Sequence, residues 1–250
     1  MTAVLLVVSS FAMAAGPVVV IDPGHGGTQN GASSPDGELE KTVALQIAKK
    51  VKTALEKEVG ATVLLTRDKD ALVHLSERVT WANARKPEVF ISIHCNSMPT
   101  RKLREKTDGL ETYFLSASAS GEDAKKVAAR ENAEVATQAK GTSQDTLSFI
   151  LADLQRSENH ADSSRLAYAV HESLIASTGA TDRGVQQAPF YVLMGLDAPA
   201  ILVETGFISH PDEGPKLSDG EYQKMVAAAI AAGVKQFLAQ SQLRDGTQGP

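Results

Sequence analysis

The sequence predicts an α/β fold: a single domain built on a mostly parallel sheet with helices on both faces. Three observations carry this. Short runs rich in β-branched and aromatic residues, Val18–Ile21, Val89–Ile93 and Ala200–Val203, have the length of buried strands. Between them lie longer segments with apolar residues at i, i+4 spacing, such as Val43, Ile47, Val51 and Leu55. From Val18 to His94 the two kinds alternate, and such alternation favours a parallel sheet covered on both sides.

Pro17 opens the first strand, where a missing ladder donor is tolerated. Asp22-Pro23-Gly24 ends it abruptly, because Pro has no N–H and Gly accepts positive φ. The strand thereby delivers His25 to a loop with glycines on both sides. Thr28 to Glu38, rich in Gly, Ser, Asn and Pro, reads as an exposed loop, and a helix follows from about Leu39 to Glu58. Ala61–Thr66 is the next strand, Leu75–Ala84 an amphipathic helix and Glu88–His94 a third strand. Lys102–Asp108 reads as a charged loop and Gly109–Leu115 as a strand. From Gly121 to about Glu158 the signals are mostly helical, including Ala124–Ala139 and the apolar-spaced Leu147, Ile150, Leu151 and Leu154. That insertion is longer than a crossover needs. A helix over Ser164–Ser177 comes next, then short extended pieces at Gly184-Val185 and Phe190–Leu193, then the strand into Glu204. Ser218-x-x-Glu221 reads as a capping box opening the last helix. Its buried side is expected to carry Tyr222, Met225, Val226, Ile230, Val234 and Phe237, and Gln240–Pro250 is expected to be a polar tail.

With 250 residues, 42% of them hydrophobic, and no internal linker, the chain can bury one large core. A formal charge of −5 argues against a general nucleic-acid binder and leaves no polybasic patch for a membrane. Cys95 is the only cysteine, so there is no intrachain disulfide; side-chain alternation turns it away from His94 and into packing. At the start, Ala3–Ala14 is nearly continuous apolar sequence, too short to span a bilayer, and ends in the small-x-small Ala12-Met13-Ala14. This reads as an export signal over residues 1–15, although no Lys or Arg precedes the apolar run. Cleavage near Ala14 would leave a folded domain over 16–240 and a tail over 241–250, in the periplasm or secreted, with no membrane span in the mature chain.

Three strands run into His25, His94 and Glu204. In open α/β sheets the carboxyl ends of parallel strands share one edge, where ligands bind. Glu40 sits in the first turn of its helix, where the dipole favours any carboxylate. A catalytic zinc takes about three protein ligands and keeps one position open, and a further carboxylate can take the proton of water. Two histidines with Glu40 and Glu204 suit amide or ester hydrolysis, and spacing alone leaves open which carboxylate does what.

Ile21-Asp22-Pro23-Gly24-His25-Gly26-Gly27, Glu40-Lys41, Leu65-Thr66-Arg67-Asp68, Ser92-Ile93-His94-x-Asn96, Arg183-Gly184-Val185 and Val203-Glu204-Thr205-Gly206-Phe207-Ile208 together resemble the zinc-dependent N-acetylmuramoyl-L-alanine amidases of the cell-division type. The resemblance covers Val18 to Leu238. It implies a mixed six-stranded sheet flanked by helices, one Zn2+ per chain held by His25, Glu40 and His94, and Glu204 as the catalytic carboxylate. The substrate it implies is peptidoglycan, cut between N-acetylmuramic acid and L-alanine during wall remodelling and daughter-cell separation. Asn96 is then a substrate contact or a support behind one. Arg67, Arg78 and Asn83 match recurrent positions and read as anchors of loops and helices. Gln29-Asn30 departs from the family, where an Asp is common, and so does Cys95, where a small residue is usual. The resemblance also implies that the helical insertion covers the site until a protein activator displaces it, with Glu131 or Glu134 the carboxylate that occupies the open zinc position. The rival readings are a zinc carboxypeptidase of wall peptides and a catalytically silent wall-binding module.

Overall fold

A computed structural model describes residues 16–133 and 157–247. Six strands form one sheet: β1 (Val18–Pro23), β2 (Thr62–Leu65), β3 (Val89–Asn96), β4 (Leu110–Leu115), β5 (Asp182–Ala188) and β6 (Ala200–Phe207), in the order β2-β1-β3-β6-β4-β5. β2, β1, β3 and β6 run parallel, β4 is antiparallel to β6, and β5 is parallel to β4. The carboxyl ends of β1, β3 and β6 therefore share an edge with the amino ends of β4 and β5.

Seven α-helices occur among the described residues: α1 (Glu40–Glu58), α2 (Leu75–Asn83), α3 (Arg101–Arg104), α4 (Glu122–Glu131), α5 (Ser157–Thr178), α6 (Glu213–Ser218) and α7 (Gly220–Thr247). The expected stripe of α1, Val43, Ile47, Val51 and Leu55, is wholly buried against Val19, Ile21, Ile91 and Ile93 and the facing side of α7. Full burial of each such side chain contributes about 1.5–3 kcal/mol. α5 packs on the same face of the sheet, whereas the opposite face joins Val20, Phe90, Tyr113 and Leu202 to α4 and to a short 3-10 turn at Tyr191–Leu193. Successive strand residues thus feed two separate cores, as the two-residue period requires. Cys95 falls in the first core, away from His94.

Several local expectations are corrected. Phe190–Leu193 is not extended; Phe190 is buried and Leu193 N–H donates to its carbonyl, closing the 3-10 turn. α5 begins at Ser157 rather than after Ser163, because Asp162 and Ser163 turn outward to other segments: Asp162 to Arg244, and Ser163 Oγ to the amide of Ala200. Arg101–Arg104 is helical, with Thr100 Oγ1 accepting from the amide of Leu103. The cap of α7 is Asp219, whose Oδ1 accepts from the amides of Glu221 and Tyr222, so the Ser218 box does not form. Met225 is 42% exposed, because the buried stripe runs through Gln223, Val226, Ala227, Ile230, Ala231 and Val234 and leaves it one residue out of phase. Residues 240–247 continue α7, and Arg244 reaches back to Asp162. Glu134, Leu147, Ile150, Leu151 and Leu154 lie outside the described residues, as do the export segment and the last three residues.

Candidate metal centre

The strand–loop carrying His25 is clamped from beneath. Asp22, at the end of β1, is fully buried and accepts from the Ser92 hydroxyl at 2.8 Å, from Thr66 Oγ1, and from Arg78 Nη1 at 2.7 Å. Its burial opposes ionisation, but Arg78 and the two hydroxyls outweigh that and hold the carboxyl below its usual range. Arg78 also donates to the carbonyls of Pro23, His25 and Val73, and Arg67 to those of Pro23, Gly24 and Lys41. Asn83 bridges the Gly195 carbonyl and the Asp197 amide. All three residues are anchors, as their sequence positions suggest.

So held, His25 adopts φ +58, a left-handed conformation rare outside Gly and frequent where function over-determines the backbone. Gly24 precedes it because a Cβ there would lie 2.4 Å from the His94 ring. Glu40 enters from the first turn of α1. Its Oε2 accepts from the amide of Ala32 at 2.8 Å and its Oε1 from that of Cys95 at 3.1 Å, fixing a carboxylate at a helix N-terminus with 0% exposure. His94 arrives on β3, directly opposite Glu204 of β6.

His25 Nε2 and His94 Nδ1 each lie 3.0 Å from Glu40 Oε1. A fourth donor joins them from α4: Glu131 Oε2, 3.2 Å from His25 Nε2 and 3.0 Å from His94 Nδ1. All four donors fall within 4.8 Å of one another. Arg130 holds this carboxylate through Nε at 2.7 Å, reaches Glu204 Oε1 with Nη2 at 3.4 Å, and donates through Nη1 to Ser97 O. Asn132 pins the end of α4 by bonding the carbonyl of Pro189 and the amide of Tyr191. Burial disfavours the charged imidazoles, yet Glu40 and Glu131 prevail, raising His25 to about 9 and His94 well above its ordinary value. In return, and against their own burial, Glu40 and Glu131 are held low, mainly by His25 and His94 respectively. Glu204 goes the other way: burial, then the charge of Glu131, push it well up.

The structure thus brings His25, Glu40, His94 and Glu131 together and sets Glu204 beside them. Asn96 is buried at the same edge with both ends engaged, its Nδ2 on Glu111 Oε2 at 2.7 Å and its Oδ1 accepting from Ser97 N–H. Sequence reading passes over Glu111, which stands at the start of a strand rather than at the end of one. Fold and donor set together define an α/β protein whose sheet edge carries a two-histidine, two-carboxylate cluster able to hold a metal ion.

Comparison with known proteins gives that class a family. The sequence profile described as N-acetylmuramoyl-L-alanine amidase matches residues 19–236, and the chain belongs to this family. It is 34% identical over 232 residues to the N-acetylmuramoyl-L-alanine amidase AmiC of Neisseria meningitidis serogroup B, covering 92% of this chain and 55% of that one. It is 35% identical to AmiC of Escherichia coli O6:H1, covering 89% and 53%. The chain therefore spans about half the length of these relatives. An N-acetylmuramoyl-L-alanine amidase structure from Clostridium difficile 630 superposes with a TM-score of 0.69 at 29% identity, covering 90% of this chain and 98% of that chain.

Proposed function

We propose that this chain hydrolyses the amide between N-acetylmuramic acid and L-alanine of peptidoglycan, using one Zn2+ held by His25, Glu40 and His94. One observation carries the reading. Four of the six separations within the cluster, 3.0–3.2 Å, approach the edges of about 3.4 Å that a tetrahedron of donors at 2.0–2.1 Å demands, the other two stay within 4.8 Å, and the donors are nitrogen and oxygen as zinc prefers. His25 Nε2 and Glu131 Oε2 are buried with no hydrogen-bond partner among the described residues, as expected of atoms whose partner is a cation.

A bound zinc ion supplies a Lewis acid for the amide carbonyl and lowers the pKa of water. The chain's own residues do the rest. Glu40 is locked by two backbone amides, so the donor set is pre-formed. Glu204, buried beside His94 with Oε2 unpartnered among the described residues, takes the proton of the attacking water and returns it to the leaving amine. Asn96 acts behind Glu111 as a support. Glu131 takes the position that water and substrate need, which makes α4 a lid that a protein activator must lift. About 2 kcal/mol in favour of closure keeps the open form at a few per cent.

We place the mature chain in the periplasm or outside the cell, acting in wall remodelling and daughter-cell separation. No helix among the described residues is long and apolar enough to cross a membrane. N-terminal sequencing of native protein from fractionated cells should find a start near Ala15, and an intact Met1 in the cytoplasm would refute export. Product analysis on purified peptidoglycan tests the activity: muramic acid with a free lactyl carboxylate and intact stem peptides are expected, and both should vanish with a chelator. Release of terminal amino acids would make the protein a carboxypeptidase.

A further inference from the structure

Arg183-Gly184-Val185 has no part in the metal cluster, yet it faces the same edge. β4 and β5 pair Leu110 with Asp182 and Thr112 with Val185, so Arg183 and Gly184 together oppose Glu111. Such a two-against-one bulge, here with Gly184 at φ +82, bends the strand and re-aims a side chain. Arg183 Nε donates to Glu111 Oε1 at 2.7 Å, and the guanidinium carbon lies 5.2 Å from the centre of the Phe207 ring. Asn96 and Tyr113 hold the other oxygen of Glu111 at 2.7 and 2.8 Å. The two terminal nitrogens of Arg183 have no acceptor among the described residues. The side chain, 26% exposed, lines a cavity of about 580 Å³ together with Asn96, Met98, Glu111 and Arg130.

A purely structural ion pair explains the Nε contact. It leaves unexplained why Glu111, itself triply bonded, holds the guanidinium with its fork turned to an open cavity beside the metal cluster. A guanidinium fixed in this way is pre-organised for two-point binding of a carboxylate.

Resting on the amidase reading, we propose that Arg183 is a specificity residue whose free fork binds a carboxylate on the stem peptide, carried by the residue that follows L-alanine. Reach selects that residue. Glu111 faces Glu204 across the β4·β6 pair, about 5 Å away by strand spacing. Arg183 is carried on β5, one strand beyond β4, so it stands about 10 Å from Glu204 by strand spacing. Two extended residues span about 7 Å, and the hydrogen bond from the fork to the carboxylate closes about 3 Å more. Glu111 and Asn96 are positioning residues in this arrangement.

The test uses two muropeptides that differ only in a free carboxylate or a carboxamide on the residue after L-alanine, given to zinc-loaded wild-type and Glu131→Ala protein. The carboxylate substrate should be favoured roughly 10- to 100-fold in kcat/KM, chiefly through KM. Arg183→Gln should abolish the preference, lowering kcat/KM for the carboxylate substrate by a larger factor than for the carboxamide, and Arg183→Lys should recover part of the preference. Calorimetric binding of the two peptides to Glu204→Gln protein should show the same ratio without turnover. Equal handling of both substrates by the unsubstituted enzyme, a comparison that requires no variant to fold, overturns the proposal while leaving the amidase reading intact. So does an equal loss on both substrates in Arg183→Gln. If neither protein cleaves either substrate, the amidase reading falls and takes this proposal with it.

Discussion

Glu131 Oε2 lies 3.0 Å from His94 Nδ1, as close as the carboxylate of Glu40, although its helix packs on the opposite face of the sheet from the helix that carries Glu40. In the lid reading this contact replaces water and substrate, so Glu131→Ala should raise basal hydrolysis of labelled peptidoglycan several-fold or more and reduce dependence on an activator. Zinc should stay bound, since three donors remain. A folded, zinc-loaded variant with unchanged or lower activity would count against the lid and leave the amidase reading untouched.

Metal binding and proton transfer are assigned to different residues, and this separates two variants. Glu204→Gln should keep zinc near one per chain while turnover falls about 10²–10⁴-fold, the usual share of a general base. His25→Ala should lose both. Metal analysis beside dye release decides it: a Glu204→Gln protein turning over at the parental rate with full zinc would remove Glu204 from its role.

Strands that end on a chemical group were legible because β1, β3 and β6 each close a buried apolar run with it. Apart from the family resemblance, Glu40 is legible only as a helix-start acid, and its fixed orientation depends on Ala32 and Cys95 amides that come from other segments. Glu111 and Arg183 were not legible as site residues. They stand at the starts of β4 and β5, and only the antiparallel β4·β6 junction brings strand starts to the edge where the other strands finish. Direction depends on how strands pair across the sheet, which local periodicity does not encode. The Asp219 cap is not legible for a smaller reason: Ser218 and Asp219 both suit a cap, and α6, ending at Ser218, leaves that residue inside the preceding helix.

Glu213 should make stability fall with rising pH. Its carboxyl accepts from the amides of Gly109 and Phe207, but burial dominates, with Asp108 adding to it, and the group rises to about 7 from an ordinary 4.5. With the folded value above the unfolded one, the folded chain holds the proton more tightly. The stabilisation is full below about pH 4.5 and is lost as pH climbs through 7. At most about 3 kcal/mol is at stake. Urea unfolding of the parent and of Glu213→Gln from pH 5 to 8 should give curves whose difference has this slope; parallel curves would assign the pH dependence elsewhere.

The clamp beneath His25 couples stability to metal binding. Arg78 is 1% exposed, its partner Asp22 is wholly buried, and the guanidinium also satisfies the carbonyls of Pro23, His25 and Val73. Arg78→Met retains much of the apolar stem volume but leaves the Asp22 charge and these carbonyls in the interior. Breaking a buried pair from one side costs about 3–5 kcal/mol. Part of that cost should appear at the metal, because the carbonyl that Arg78 ties down belongs to His25, whose left-handed backbone presents the imidazole. Zinc affinity should therefore drop by an order of magnitude or more even where the variant remains folded. Adding Asp22→Asn removes the stranded charge but not the slack in the loop. The double variant should recover much of the unfolding free energy and little of the zinc affinity, read by urea melts and competition with a chromophoric chelator. If the double variant regained both together, the clamp would serve stability alone, and the geometry of His25 would have to be held by Arg67 and the glycines around it.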